Sequence, residues 1–178
     1  IIGGDQVPVV IASRSADKEQ KCAVVVSNAD TRPDYLYTGQ ALPQELQKQQ
    51  KYIIDFDAYA HLASEGNIEN FPIFPYNATP FISQVQADAK FLVLPFGAPS
   101  EEYIACLKAH PEVVVVCMSN HQNRLGEQRA LVHELSVNGL TNPVVFCQMY
   151  RHSEKEKSDF QLEAAADMGA LMIDGLTD

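Results

Sequence analysis

Polar residues at or just after short apolar runs are the positions from which this chain could do chemistry. They are Asp55 and Asp57, Asn77, Gly97, Asn120 and His121, Gln148, Arg151 and His152, and Asp174. Where strands run parallel, their carboxyl ends share one rim, and ligands collect there. On such a rim Asp55, Asn120, Arg151, His152 and Asp174 form a candidate site for a polar ligand, with Arg151 and His152 holding an anionic group. A plainer reading stands beside it, because backbone groups at strand ends need polar partners wherever they fall. Asp55-Phe56-Asp57 poses the same choice. Paired carboxylates are hard oxygen ligands for a cation, yet Asp57 also stands where a following helix needs an N-cap, and the N-cap is the expectation.

The remaining candidates are thin. Cys22, Cys106, Cys117 and Cys147 never approach a C-x-x-C spacing and three of them stand in apolar runs, so reduced core thiols are expected and no metal site. A long helix carries His121, Arg124, Arg129 and His133 without any H-E-x-x-H pattern. Leu125, Val132 and Leu135 supply its apolar stripe, which places the basic residues on a solvated face. His61, His110 and the methionines show no ligand spacing. The absence of G-x-G-x-x-G, of the Walker pattern and of G-x-S-x-G argues against a standard nucleotide domain and a serine hydrolase.

The elements that would position these residues follow a strand, junction, helix rhythm from Tyr52 onward. Strands are predicted at Tyr52–Asp55, Phe71–Pro75, Phe91–Pro95, Val113–Met118, Pro143–Tyr150 and Ala170–Ile173. Helices are predicted over Asp57–Glu65, Pro80–Ala87, Ser100–Lys108, Asn120–Asn138 and Lys157–Met168, with Gly139 closing the long one. In the first third, Val7–Ala12, Ala23–Ser27 and Asp34–Tyr37 read as strands and Pro43–Lys51 as a helix. Unbroken apolar runs such as Val113–Met118 belong to a parallel sheet covered on both faces. This pattern leaves two α/β architectures, a (β/α) barrel or an open doubly wound sheet.

With 178 residues and 46% hydrophobic composition, one domain is expected over 1–178. A formal charge of −10 repels phosphate backbones and anionic membranes, so neither nucleic acid nor membrane is an expected partner. No run is long and apolar enough for a transmembrane helix.

The closing stretch is the most specific. Ser158 and Asp159 are N-cap residues, Glu163 adds acid to the first turns, and Leu162, Ala165, Ala166 and Met168 share an apolar side. Gly169 is expected to stop that helix, Ala170–Ile173 to form a buried strand, and Asp174-Gly175 to turn. A helix leading into a buried strand is half of a βαβ unit, so the chain is expected to be a cut piece of a larger protein. Ser158-Asp159, a helix, and then Gly169-Ala170-Leu171-Met172-Ile173-Asp174-Gly175-Leu176-Thr177-Asp178 resemble the "S/R-D … G-ALL-DGL-DG" passage of 4-hydroxy-3-methylbut-2-enyl diphosphate synthases, and Tyr150-Arg151-His152 fits loosely.

The resemblance implies the central insert domain of the long, three-domain form of that enzyme, barrel-related in fold. A small or incomplete TIM-like (β/α) barrel is therefore the expectation, with the open doubly wound sheet as the alternative. It implies an oxidoreductase of the methylerythritol phosphate route to isoprenoids, which reductively opens 2-C-methyl-D-erythritol 2,4-cyclodiphosphate with a [4Fe-4S] cluster. That catalysis would belong to the other two domains of the chain, with ferredoxin or flavodoxin as electron donor, in the bacterial cytoplasm or plastid stroma. The cluster needs closely placed thiolates with a C-x-x-C pair, which this segment lacks, so no cofactor and no activity are expected of the segment alone. It would be a scaffold. The competing reading is a free-standing α/β small-molecule-binding domain or enzyme, recognisable by a deep pocket joining Asp55, Arg151, His152 and Asp174. A docking module for the electron donor is disfavoured, because those donors are usually acidic and a chain at −10 repels them.

Overall fold

Val113-Val-Val-Val-Cys-Met118 offers no polar face, and it is buried on both sides as β6 (Val113–Met118). The computed structural model describes residues 2–13, 32–43, 46–62, 69–148 and 157–178. Its other strands are β1 (Ile11–Ser13), β2 (Tyr35–Gly39), β3 (Lys51–Asp55), β4 (Asn70–Pro75), β5 (Lys90–Pro95) and β7 (Val144–Cys147). All seven form one sheet in sequence order, and every neighbouring pair is parallel. Between them lie α1 (Phe56–Leu62), a 3₁₀ helix (Tyr76–Gln84), α2 (Ser100–Ala109) and α3 (Arg124–Val137), with α4 (Lys157–Ile173) after β7.

Right-handed crossovers between strands that never reverse their order put every helix on one face. Leu92, Leu94, Val113, Val115 and Cys117 of that face pack on Ile82 of the 3₁₀ helix, Tyr103 and Leu107 of α2, and Leu131 and Leu135 of α3. At the other end Leu36, Tyr52 and Ile54 meet Ala58 and Leu62 of α1. The opposite face has no helix to cover it and curls on itself. There Tyr35, Ile53, Phe91, Val114, Val116 and Val145 form one cluster. The Tyr35 and Phe91 rings meet edge to face at 5.5 Å although their strands are three positions apart in the sheet, a distance of ~14 Å if it were flat. The result is a half-barrel with β1 and β7 as its edges, the incomplete TIM-like architecture expected.

The strands from β3 to β6 lie where the apolar runs place them, and the differences elsewhere have physical causes. Ala170–Ile173 is not a strand but the last turn of α4, because Ala, Leu and Met are strong helix formers and Gly169 is tolerated within the helix. The stop is Gly175, at φ +67, where Gly175 N bonds Met172 O and Leu176 N bonds Leu171 O. Gly139 closes α3 in the same way, with φ +70 and bonds from Gly139 N to Ser136 O and Leu140 N to Leu135 O. Of the predicted helix Pro43–Lys51, residues 46–50 are irregular and Lys51 opens β3. The Gln50 amide spans Pro33 O and Lys51 O there, and Tyr52 Oη accepts from Gln47 N, so side chains take up the backbone groups that a helix would have paired. Pro80 has no N–H to give an α-helix, and its segment is a 3₁₀ helix. The predicted strand Ala23–Ser27 lies outside the described residues. Among those described, no helix is long and apolar enough to cross a membrane.

Candidate functional site

Asp55 ends β3 at the carboxyl rim, and each of its oxygens accepts a hydrogen bond from a neighbour. Tyr37 of β2 donates its hydroxyl to Asp55 Oδ1 at 2.8 Å, and Gln40, in the turn after β2, donates Nε2 to Oδ2 at 2.9 Å. The same amide reaches Asp57 at 3.2 Å, and Asp57 Oδ1 accepts from Ala58 N at 3.1 Å in the first turn of α1. The two carboxylates are thus drawn together by a neutral donor. No group of three or more His, Cys, Asp or Glu side chains gathers as a metal site among the described residues.

Asn120, after β6, is exposed. The end of that strand is held by His121 together with Ser119, Asn123 and Glu127. Ser119 donates to Glu127 Oε2 at 2.5 Å and accepts from His121 N at 3.2 Å, while His121 Nδ1 accepts from Asn123 N at 3.1 Å. Asn123 then caps α3 by accepting from Gly126 N. Beneath this chain Gln128 is fully buried, donating to Cys117 O at 3.2 Å and Cys147 O at 3.3 Å and accepting from Gln148 Nε2 at 2.7 Å. One side chain of α3 therefore ties together the ends of β6 and β7.

Asp174 does not sit on the rim, because the strand that would have put it there is helix. It pairs with Arg129 of α3 at the end of α4, only four residues before Asp178, whose backbone bonds the first residue of β7. It therefore belongs to the helix layer, toward the amino ends of the strands. Arg124 bonds Glu163 at 2.6 Å and Asp167 at 2.7 Å. Both arginines clamp α4 onto α3; His121, Arg129 and His133 are exposed, as expected of a solvated face, and Arg124 is the half-buried exception. Arg151 and His152 lie outside the described residues.

A concavity of about 970 Å³ opens at the other end of the sheet, among Tyr35, Lys51, Glu69, Asn70, Asp88 and Glu112. These stand at or near strand starts, the face that serves stability in parallel barrels. Lys51 is already committed there, with Nζ 5.3 Å from the centre of the Tyr35 ring. None of Asp55, Asn120 and Asp174 lines this concavity.

The three described thiols stand on separate elements and are not gathered as an iron–sulfur cluster needs. Cys106 lies on α2, Cys117 on the helix-covered face of β6 and Cys147 on the inner face of β7. Burial raises all three, Cys117 to about 12. Cys22 lies outside the described residues. Burial also raises the Tyr35, Tyr37, Tyr59 and Tyr103 phenols, and for Tyr37 the bond to Asp55 adds to it. The sign follows from linkage. The unfolded chain releases these protons first, thiols near 9.0 and phenols near 10.0, so stability present below those values is lost as pH rises toward the folded ones. The urea midpoint is expected to fall steadily above about pH 9 and to fall less steeply in Tyr37→Phe; a flat profile to pH 11 would contradict the burial of these groups.

Relatives share this sequence along nearly its whole length. The chain is 46% identical over 177 residues to 4-hydroxy-3-methylbut-2-en-1-yl diphosphate synthase (flavodoxin) of Bacteroides thetaiotaomicron, covering 99% of this chain and 27% of that protein. The synthases of the same name from Phocaeicola vulgatus and Parabacteroides distasonis are 45% and 32% identical over 177 residues, each with 99% of this chain and 27% of the relative covered. The chain is homologous to one stretch of these synthases. It spans about a quarter of the length of the curated relatives it matches. No protein-family model matches the chain, and no solved structure does.

Proposed function

We propose that residues 1–178 are the central, non-catalytic scaffold domain of a 4-hydroxy-3-methylbut-2-enyl diphosphate synthase, setting the distance and orientation of the two domains that carry its chemistry. One observation supports this above the rest: homology runs through 99% of the chain at 46% identity yet occupies 27% of the relative. A stretch of that size with its own sheet and core is what a spacer between domains requires. The strand-end groups agree with it, since Tyr37, Gln40, Asp55 and Asp57 are hydrogen-bonded to one another. The full-length protein would be the iron–sulfur oxidoreductase of isoprenoid synthesis, reduced by flavodoxin or ferredoxin, with its cluster held outside these residues.

The test is turnover of the full-length enzyme carrying Gln40→Ala or Asp55→Asn. A scaffold predicts kcat and KM within about twofold of the parent at unchanged iron content; a fall of about tenfold or more in kcat/KM with the fold intact would mean that the rim takes part. The purified 178-residue chain is expected to be colourless and free of iron, and a brown preparation would overturn the reading.

A further inference from the structure

The amino ends of the strands hold a polar side chain that the fold leaves without a partner. Tyr35 opens β2 and is only 4% exposed, its ring fixed edge to face against Phe71 at 5.7 Å and Phe91 at 5.5 Å. Among the described residues nothing hydrogen-bonds its hydroxyl, and Tyr35 lines the concavity of about 970 Å³, which is the space that the hydroxyl faces. Buried polar groups are nearly always bonded, so an unmet phenol on the wall of a cavity marks a place where a ligand supplies the bond.

The charges around it show which kind. Glu69, Asp88 and Glu112 line the same concavity against one cation, Lys51, which leaves two negative charges in excess. Lys51 Nζ stands over the Tyr35 ring, 5.3 Å from its centre, and Glu112 Oε1 is 3.2 Å from His110 Nδ1. The Glu69 and Asp88 carboxylates have no hydrogen bond or ion pair among the described residues. Each of these two lies near a phenol of the concavity. Burial raises both phenols, and nearby charge adds to it, from Asp34 and Glu69 at Tyr35 and from Asp88 at Tyr59 of α1. Neither phenol is bonded to its carboxylate, so each pair offers two oxygens to a donor placed between them.

We propose that this concavity binds a linear aliphatic diamine or polyamine. One ammonium group would sit between Tyr35 Oη and Glu69 and another between Tyr59 Oη and Asp88, with the methylenes over Ile2, Phe71 and Val114. An ammonium carries three donors and no acceptor, which suits a phenol oxygen beside a carboxylate. The volume is that of small-molecule pockets, about 300–1,000 Å³. Other classes fit less well. The excess negative charge repels an anion. A metal ion needs its carboxylates gathered, and among the described residues these acids form no such group. A single amine leaves one carboxylate unmet, and Lys51 already holds the face of the Tyr35 ring that an isolated cation would take. The inference goes beyond the scaffold role, and its test needs no turnover.

Isothermal titration calorimetry of the full-length protein with putrescine tests it. One-to-one binding is expected, with n-butylamine at least about tenfold weaker because it fills one of the two seats. Glu69→Gln and Asp88→Asn, both at exposed side chains, are each expected to weaken putrescine about tenfold. Tyr35→Phe keeps the buried ring and removes only its oxygen, so it is expected to weaken binding about fivefold at an unchanged thermal midpoint. Putrescine is expected to raise the thermal midpoint of the parent and not that of the protein carrying both acid substitutions. No binding by the parent, equal affinity for putrescine and butylamine, or an affinity that both acid substitutions leave unchanged would each overturn the proposal. So would loss of the putrescine signal when magnesium chloride replaces sodium chloride at equal ionic strength, which would mean a diffuse counterion effect.

Discussion

Gln128→Leu is expected to cost the 178-residue chain about 2–4 kcal/mol of unfolding free energy, although leucine fits the space and is the more apolar residue. Gln128 is fully buried, so the substitution leaves behind the groups it satisfied: the carbonyls of Cys117 and Cys147 and the amide of Gln148. Each carbonyl has a second lone pair, which keeps its share of the cost low. The Gln148 amide loses its partner outright, and stranded buried polar groups cost about 1–3 kcal/mol each. Gln128→Glu separates this account from simple packing, since it keeps the shape but turns an acceptor toward the two carbonyls. It should destabilise more than leucine at neutral pH and recover in acid as the carboxyl gains a proton. Urea unfolding at constant m-value measures both. A loss below about 1 kcal/mol for leucine would show that the polar link between α3 and the ends of β6 and β7 carries no weight.

That link was readable in principle. Gln128, Leu131 and Leu135 recur at core spacing along α3, so an amide on the apolar stripe signals a buried hydrogen bond. Strands β3, β5 and β6 were legible for a simpler reason: a parallel strand covered on both faces shows as an unbroken apolar run. Ala170-Leu-Met-Ile173 was not, because a four-residue apolar run suits a buried strand and a helix end equally, and periodicity cannot separate them. What decides between them is the turn at Gly175, whose two backbone bonds reach back to Leu171 and Met172. The partners of Arg124 and Arg129 were hidden for another reason. Glu163, Asp167 and Asp174 meet them only after α4 has returned across the sheet, and no local pattern records that contact. The strand-end rim was legible at Asp55, but its neutral partners Tyr37 and Gln40 carry no charge pattern to announce them.

Phe91→Ala should cost more, about 3–5 kcal/mol, because the inner face of the half-barrel cannot close over the loss. Phe91 has no exposed surface and meets Tyr35 edge to face at 5.5 Å, in one cluster with Ile53, Val114 and Val145. β5 is paired to β4 and β6 on both sides, so its backbone cannot move inward to fill the space. The void would be apolar, between Tyr35, Ile53, Val114 and Val145, and apolar voids stay dry and take up small aromatic molecules. Benzene is therefore expected to raise the thermal midpoint of Phe91→Ala and to leave that of the parent chain unchanged. An inner face built to hold a ligand gives the opposite pattern: the parent would respond to small apolar molecules, and the substitution would cost little because the space was never filled. The size of the loss thus distinguishes a filled core from a binding cavity. A filled core would direct contacts with another molecule to the strand ends, the sheet edges and the outer surfaces.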